Sequence, residues 1–92
     1  MAERSVTVVN RLGLHARAAA KLVRAASAFR SSVVLERAGG GARADAKSIL
    51  SVLLLAAARG TELRVVAEGP DEGAALDAVC GLIEEGFGEN EA

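Results

Sequence analysis

The sequence predicts an open-faced α/β sandwich (α+β) in which a four-stranded antiparallel sheet carries three helices on one face. Two observations lead to this fold class. Strand-like and helix-like segments follow one another in the order βαββαβα. Each helical segment also has an apolar stripe, and an antiparallel sheet needs cover on only one face. The 92 residues suit one domain, with its core at about residues 5–88 and a frayed tail over 88–92.

The first half of the chain is predicted to contain a strand, a helix and a hairpin. β-branched residues favour a strand over residues 5–10, and apolar residues three or four apart predict a helix over about 16–30. The alternation in Ser32–Arg37 predicts the second strand. Three glycines at 39–41 then allow a tight reversal into a short third strand near residues 42–45.

The second half is predicted to add a helix, a strand and a final helix. Residues 48–59 form an apolar helix that Gly60 would end. Glu62–Glu68 alternates clearly and is predicted to be the fourth strand. Pro70 and the acidic residues after it suit the first turn of the last helix, and Gly86 is predicted to end that helix.

Composition excludes several classes of function. Phe29 and Phe87 are the only aromatic residues, so stacking platforms for nucleic acid bases are missing. The longest apolar run, over residues 52–58, is too short to cross a bilayer. A lone cysteine, Cys80, cannot form an internal disulfide, which suits a reducing, cytoplasmic setting. Its spacing predicts a small core residue, and we expect neither a metal site nor a cofactor.

Charge is divided unevenly along the chain. Up to Arg37 there are seven basic residues against two acidic ones, whereas from Ala38 four basic residues face ten acidic ones. This split predicts a basic surface around the first helix that could attract an anion or an acidic partner. The alternative is that both sets are only solvated faces.

His15 is the only histidine, and it stands at the predicted start of the first helix. The free N–H groups of that first turn, at Ala16 and Arg17, would meet a phosphate attached to the imidazole. Arg17 adds a permanent cation with forked donors. Taken alone, this pair also fits an ordinary capping or surface histidine.

Two motifs favour the phosphate-carrying histidine over the ordinary one. Residues 10–19 (NRLGLHARAA) resemble the active-site segment of the HPr family, phosphocarriers of the phosphoenolpyruvate-dependent phosphotransferase system, and residues 46–50 (AKSIL) resemble the second signature of that family. The resemblance implies that His15 carries the phosphoryl group and that Arg17 stabilises it. It also implies that phospho-enzyme I is the donor and that a IIA-type protein is the acceptor. The chain would then be a carrier without turnover of its own, in sugar uptake or nitrogen-related regulation.

The helix after Ser48 is apolar around most of its circumference, so part of it should be exposed as a docking surface. The alternative is a helix buried deeply in the core. Together with the family resemblance, this gives the following predicted docking residues: Leu14, Ala18, Lys21, Lys47, Ile49, Leu50 and Leu53.

Two positions have a particular meaning within the resemblance. Ser48 stands where some HPr proteins carry a regulatory phosphoserine, which would add an HPr kinase/phosphorylase as a partner, and it also suits an ordinary helix N-cap. Ala18 replaces the proline usual in the family. Because alanine is the best helix former, we expect the first turn to survive this departure, while the transfer rate could differ.

Other interpretations follow from the same residues. One is a regulatory binding module of this fold that docks without transferring a phosphoryl group. Another is a small RNA-binding domain, which the missing aromatics and the acidic second half disfavour. Within the phosphocarriers, the segments around His15, at the start of the last helix and at the C-terminus look more like NPr, the nitrogen-related branch. We expect a monomer that binds neither nucleic acid nor membrane.

Overall fold

The computed structural model describes residues 1–89 and forms a four-stranded antiparallel sheet in the order β1-β4-β2-β3. The predicted βαββαβα order and fold class are confirmed. A 3₁₀ turn, Gly86–Gly88, follows the last helix. The elements are β1 (Ala2–Thr7), α1 (Ala16–Ser27), β2 (Ser32–Arg37), β3 (Arg43–Asp45), α2 (Ile49–Leu55), β4 (Glu62–Glu68) and α3 (Glu72–Glu84).

The core lies between the sheet and the helices. In β4, Leu63, Val65 and Ala67 are fully buried on one face, as their alternation predicts. Val33 and Leu35 of β2 stand opposite Ala67 and Val65 in the register, so both strands present the same apolar face. The helices pack on this face, and Leu22 of α1 and Val79 of α3 are buried there. Among residues 1–89, no helix is long and apolar enough to span a membrane.

The first strand lies earlier than predicted. It covers Ala2–Thr7 rather than residues 5–10, because β4 pairs with it in a register from Ala2 opposite Ala67 to Thr7 opposite Glu62. The polar start of the chain is therefore part of the edge strand. Beyond Thr7, only Val8 keeps the pairing, with its N–H donated to the carbonyl of Thr61 at 2.9 Å.

Two helices end sooner than predicted. In α1, the N–H groups of Ala28 and Phe29 bond to carbonyls three residues back, so the last turn tightens after Ser27. In α2, Ala56 adopts a left-handed conformation with φ of 52° and ends the helix after Leu55.

An arginine from the sheet caps the end of α2. The Arg37 guanidinium donates to the carbonyls of Leu55 and Ala56, both at 2.9 Å. These carbonyls would otherwise be unpaired at the C-terminus of the helix. Gly60, predicted to end this helix, instead donates its N–H to the carbonyl of Val8 at 2.7 Å.

The core prediction for Cys80 is confirmed. Its side chain is fully buried on α3. Burial raises the pKa of the Cys80 thiol to about 11, so the thiol stays protonated at neutral pH. A protonated, inaccessible thiol is a poor nucleophile.

Candidate functional site

His15 is the N-cap of α1. Its backbone is extended, with ψ of 177°, and its Nδ1 accepts the N–H of Arg17 at 3.2 Å. Because Nδ1 accepts a hydrogen bond, the neutral ring carries its proton on Nε2. Its side chain is partly exposed. The ring therefore presents a lone pair at the start of a helix, where the macrodipole favours negative charge.

The turn before His15 is fixed by Asn10 and Gly13. The buried Asn10 amide donates to the Gly13 carbonyl at 2.7 Å. Gly13 has φ of 65°, and a Cβ there would lie 2.5 Å from the Ala57 carbonyl oxygen. The Leu14 N–H donates to this same oxygen at 2.9 Å. The site loop thus packs directly against the segment that follows α2, and only glycine fits at position 13.

Glu89 lies against the other edge of the imidazole. One of its carboxylate oxygens, Oε2, accepts the N–H of His15 Nε2, and the other accepts the Asn10 amide at 3.1 Å. The hydrogen bond with His15 lowers the pKa of Glu89, and Asn10 adds to this effect. The predicted fraying is wrong for Gly88 and Glu89, because Glu89 is bound by side chains of the site. The rest of the predicted frayed tail, residues 90–92, lies outside the described residues.

The segment that carries Glu89 is anchored in the core. Phe87 is 1% exposed and adopts a positive φ of 61°. The Lys21 ammonium group of α1 donates to the Phe87 carbonyl at 2.7 Å. Lys21, predicted as a docking residue, is therefore partly buried and holds the C-terminal turn.

Arg17 and Ala16 lie in the exposed first turn of α1, as the predicted helix start requires. The first N–H groups of a helix have no acceptor within it, so they can bind phosphoryl oxygens. Ala18 is helical and fully buried in this turn. The expectation that the first turn survives without proline is confirmed.

The five apolar residues predicted for docking divide into three groups. Ile49 and Leu50 are exposed, at 44% and 63%, and Leu53 is partly buried. Leu14 and Ala18 are buried, at 5% and 0% exposure, so their prediction as docking residues is wrong: both belong to the core between helix and sheet.

The second signature forms the start of α2. The Ser48 hydroxyl accepts the N–H of Ser51 at 3.3 Å, so the predicted N-cap is confirmed. Lys47 donates from its ammonium group to the Phe29 carbonyl at 2.9 Å, which ties this turn to the end of α1. Within residues 1–89, no cluster of three or more histidine, cysteine and acidic side chains could hold a metal ion.

The chain matches the family described as PTS HPr component phosphorylation site over residues 2–85. It belongs to the HPr family. This family consists of histidine-containing phosphocarriers of the phosphotransferase system, and the chain is a phosphocarrier of this kind. Neither the docking-only module nor the RNA-binding domain is favoured.

Relatives and solved structures agree with this assignment. The phosphocarrier protein HPr of Cupriavidus necator is 47% identical over 91 residues, covering 99% of this chain and 100% of the relative. The phosphocarrier protein NPr of Shewanella violacea is 42% identical and covers 95% of this chain and 93% of the relative. The crystal structure of HPr-C-His from Thermoanaerobacter tengcongensis superposes with a TM-score of 0.91 at 38% identity, covering 99% and 100% of the chains.

Sequence reasoning missed two residues that contact His15 or its loop: Glu89 binds the imidazole, and Asn10 binds the loop and Glu89. Leu12 and Leu54, exposed at 61% and 74%, were also left out of the predicted docking residues. The excess of leucine in α2 could have indicated Leu54. Glu89 gave no signal, because it is 74 residues away from His15 in the chain.

Proposed function

We propose that His15 carries the phosphoryl group and that Nδ1 is the nitrogen that binds it. The observation that supports this most directly is the Arg17 N–H donated to Nδ1 at 3.2 Å. Once phosphorus is bound to Nδ1, this N–H would be available to a phosphoryl oxygen. The helix start behind it adds further free N–H groups and a favourable dipole.

The opposite ring edge is unsuited to a phosphoryl group. Nε2 faces the Glu89 carboxylate, and this carboxylate is also bound by Asn10. A phosphoryl group on Nε2 would meet a negative charge and would displace both hydrogen bonds. The charge distribution therefore favours Nδ1.

Arg17 is proposed to stabilise the phosphoryl group during transfer. Its side chain is exposed in the first turn of α1, two residues after His15. A guanidinium offers forked donors to phosphoryl oxygens, and phosphoryl transfer depends mainly on positioning and charge stabilisation. Arg17 would thus act in both the incoming and the outgoing step.

The proposed relay takes the phosphoryl group from the phosphohistidine of enzyme I and gives it to a IIA-type protein. The chain would work as a cytoplasmic monomer and would have no turnover of its own. The proposed docking surface consists of exposed or partly exposed apolar side chains of α2 and of the site loop. These are Leu12, Ile49, Leu50, Leu53 and Leu54.

The relay is tested by incubating the protein with enzyme I, phosphoenolpyruvate and Mg²⁺. We expect one phosphoryl group per chain, labile in acid and stable in base, as a phosphoramidate requires. His15→Ala is the matched variant and should take up none while keeping the native circular dichroism. Persistent labelling of His15→Ala would overturn the site assignment. Failure of the native chain to accept label from several enzymes I would contradict the relay.

The identity of the acceptor separates the two branches of the family. Labelled protein is mixed with a sugar-specific IIA domain or with a nitrogen-related IIA protein, and loss of label is followed over time. Faster transfer to the sugar-specific domain places the chain in sugar uptake, and the reverse order places it in nitrogen-related regulation. Transfer to neither would contradict the acceptor class.

The proposed regulatory role of Ser48 rests on its position at the start of α2, beside the exposed Ile49 and Leu50. A phosphate there would place negative charge at the edge of the docking surface. Incubation with HPr kinase/phosphorylase and ATP should label the native protein and leave Ser48→Ala unlabelled. Label on both proteins, or on neither, would contradict this role.

A further inference from the structure

The contact between His15 and Glu89 suggests that this carboxylate takes part in the transfer step itself. Glu89 is distant in sequence, yet both of its carboxylate oxygens are bound within the site. Its side chain is 14% exposed, less than the 22% of His15. A carboxylate held this way against an imidazole can select the position of the ring proton.

We propose that Glu89 is a positioning residue for phosphoryl transfer, whose carboxylate holds the Nε2 proton of His15 and so keeps Nδ1 unprotonated and able to attack phosphorus. This inference rests on the proposed function of His15. Two hydrogen bonds fix the ring from opposite edges. Glu89 accepts from Nε2, and Nδ1 accepts from Arg17. The same ring with its proton on Nδ1 would lose both bonds.

The transfer step balances without movement of the Nε2 proton. The Nδ1 lone pair forms the new N–P bond while the N–P bond of the donor phosphohistidine breaks, and the electron pair of the broken bond stays on the donor nitrogen. If the donor ring is protonated on its second nitrogen, it leaves as neutral imidazole. The His15 ring then bears a positive charge, with its proton still on Nε2 facing Glu89. The carboxylate offsets this charge at the moment it forms.

The contact between Glu89 and His15 also assists transfer from His15 to the acceptor. With Nε2 protonated, the imidazole of His15 leaves as a neutral ring when the acceptor attacks phosphorus. Loss of the Nε2 proton would make the leaving group an anion, which is a far poorer leaving group. Glu89 therefore favours the transferable form of the phosphorylated carrier in both directions.

The carboxylate is held by more than its own hydrogen bonds. Phe87 is buried, and Lys21 binds its carbonyl. Gly86, three residues before Glu89, adopts a φ of 66°, and a Cβ there would lie 3.5 Å from the Cβ of Asn10. The C-terminal turn thus packs against the loop before His15, and Glu89 is presented by a fixed backbone rather than by a free end.

The first test measures the ring proton in the unphosphorylated protein. Nitrogen-15 chemical shifts at neutral pH distinguish the two tautomers of His15. We expect Nε2–H as the dominant form in the native protein and a mixture with Nδ1–H in Glu89→Gln, because the glutamine amide can donate to Nε2. Glu85→Gln is the matched control, since Glu85 is exposed at the end of α3 and its loss changes the net charge equally. This variant should keep the native shifts.

The second test measures transfer from phospho-enzyme I against carrier concentration. Glu89→Gln should lower the maximal rate about 10-fold with little change in KM, as is typical when a carboxylate partner of a functional histidine is lost. Glu89→Asp, which keeps the charge on a shorter side chain, should recover part of this rate. Glu85→Gln should match the native protein.

Two results would overturn the role of Glu89 while leaving His15 as the carrier. One is an unchanged tautomer and an unchanged rate in Glu89→Gln. The other is faster phosphorylation of Glu89→Gln, which would mean that the carboxylate mainly repels the incoming phosphoryl group. If the native protein took up no label, the proposed function would be contradicted instead. The tautomer is measured in the unphosphorylated protein and does not depend on that result.

Discussion

At the scale of single residues, the chemistry of His15 depends on the atoms that hold its ring. The sequence was enough to propose His15 and Arg17 as site residues, because both lie in one short motif at a helix start. It did not reveal Asn10 and Glu89 as the partners that fix the loop and the ring. Contacts of this kind arise only when the chain has folded, and no local periodicity encodes them.

Arg17 offers the first residue-scale prediction. Arg17→Ala should slow phosphoryl transfer by roughly 10- to 100-fold, because a charge that stabilises the moving phosphoryl group is lost and the site is open to solvent screening. Arg17→Lys should recover only part of the rate, since a point charge lacks the guanidinium fork. Transfer assays that begin with labelled phospho-enzyme I and are quenched at set times measure these rates. Equal rates in all three proteins would remove Arg17 from the mechanism.

At the scale of elements, α2 shows which parts of a helix the sequence pattern predicts and which it does not. Ser48 and the residues after it are enough to predict the helix and its cap. Its end was misjudged, because it depends on Arg37 of the neighbouring strand, which binds the carbonyls of Leu55 and Ala56. A cap supplied from another element overrides the local signal of Gly60.

The N-cap of α2 gives the second prediction. Ser48→Ala should lower the free energy of unfolding by about 1 kcal/mol, because the hydrogen bond to the Ser51 N–H is lost. Ser48→Asp should leave this free energy unchanged or raise it by about 0.3–1 kcal/mol, since a carboxylate also caps and meets the positive end of the dipole. Urea denaturation of the three proteins measures both effects.

The same Ser48→Asp change should weaken docking. Its charge would stand beside the exposed side chains of Ile49 and Leu50, where a partner must desolvate it. Transfer from enzyme I should then show a raised KM with a nearly native maximal rate. A native KM would show that this part of α2 does not contact enzyme I. If Ser48→Asp unfolded at a much lower urea concentration than the native protein, the capping role would be contradicted.

At the scale of the whole molecule, one carboxylate joins two distant turns. Asp71, just before α3, accepts the Ser31 hydroxyl at 2.6 Å and the Ser31 N–H at 2.9 Å, and it also accepts the Arg30 N–H at 3.0 Å. The sequence predicted Asp71 as an acid at the start of its own helix. It stands there, but its side chain does not cap that helix and instead ties the turn after α1 to the start of α3. The carboxylate that binds backbone at the start of α3 is that of the neighbouring Glu72, which accepts the Gly69 N–H at 3.2 Å.

This tie predicts a pH dependence of stability. The hydrogen bond from the Ser31 hydroxyl, with those from the backbone, lowers the pKa of Asp71 from 3.8 to about 2. The unfolded state therefore binds the proton first. The contribution to stability is complete above pH 3.8 and is lost as the pH falls toward about 2.

Asp71→Asn tests this dependence by thermal unfolding between pH 2 and 7. At neutral pH the native protein should have a higher Tm than the variant. The difference in Tm should decrease as the pH falls below the ordinary pKa of a carboxyl group. Asp77→Asn is the control, because the exposed pair of Asp77 with Arg4 contributes little. A gap between native protein and Asp71→Asn that stays constant across the whole pH range would contradict the account.

The phosphoryl group is proposed to travel on Nδ1 of His15, and one measurement tests this most directly. The native protein, labelled with nitrogen-15 in its single histidine, is phosphorylated by enzyme I and studied by phosphorus and nitrogen NMR at neutral pH. We expect phosphorus coupled to Nδ1, with Nε2 carrying its proton beside Glu89. Phosphorus on Nε2, or a phosphorylated protein whose histidine signals are unchanged, would contradict the claim.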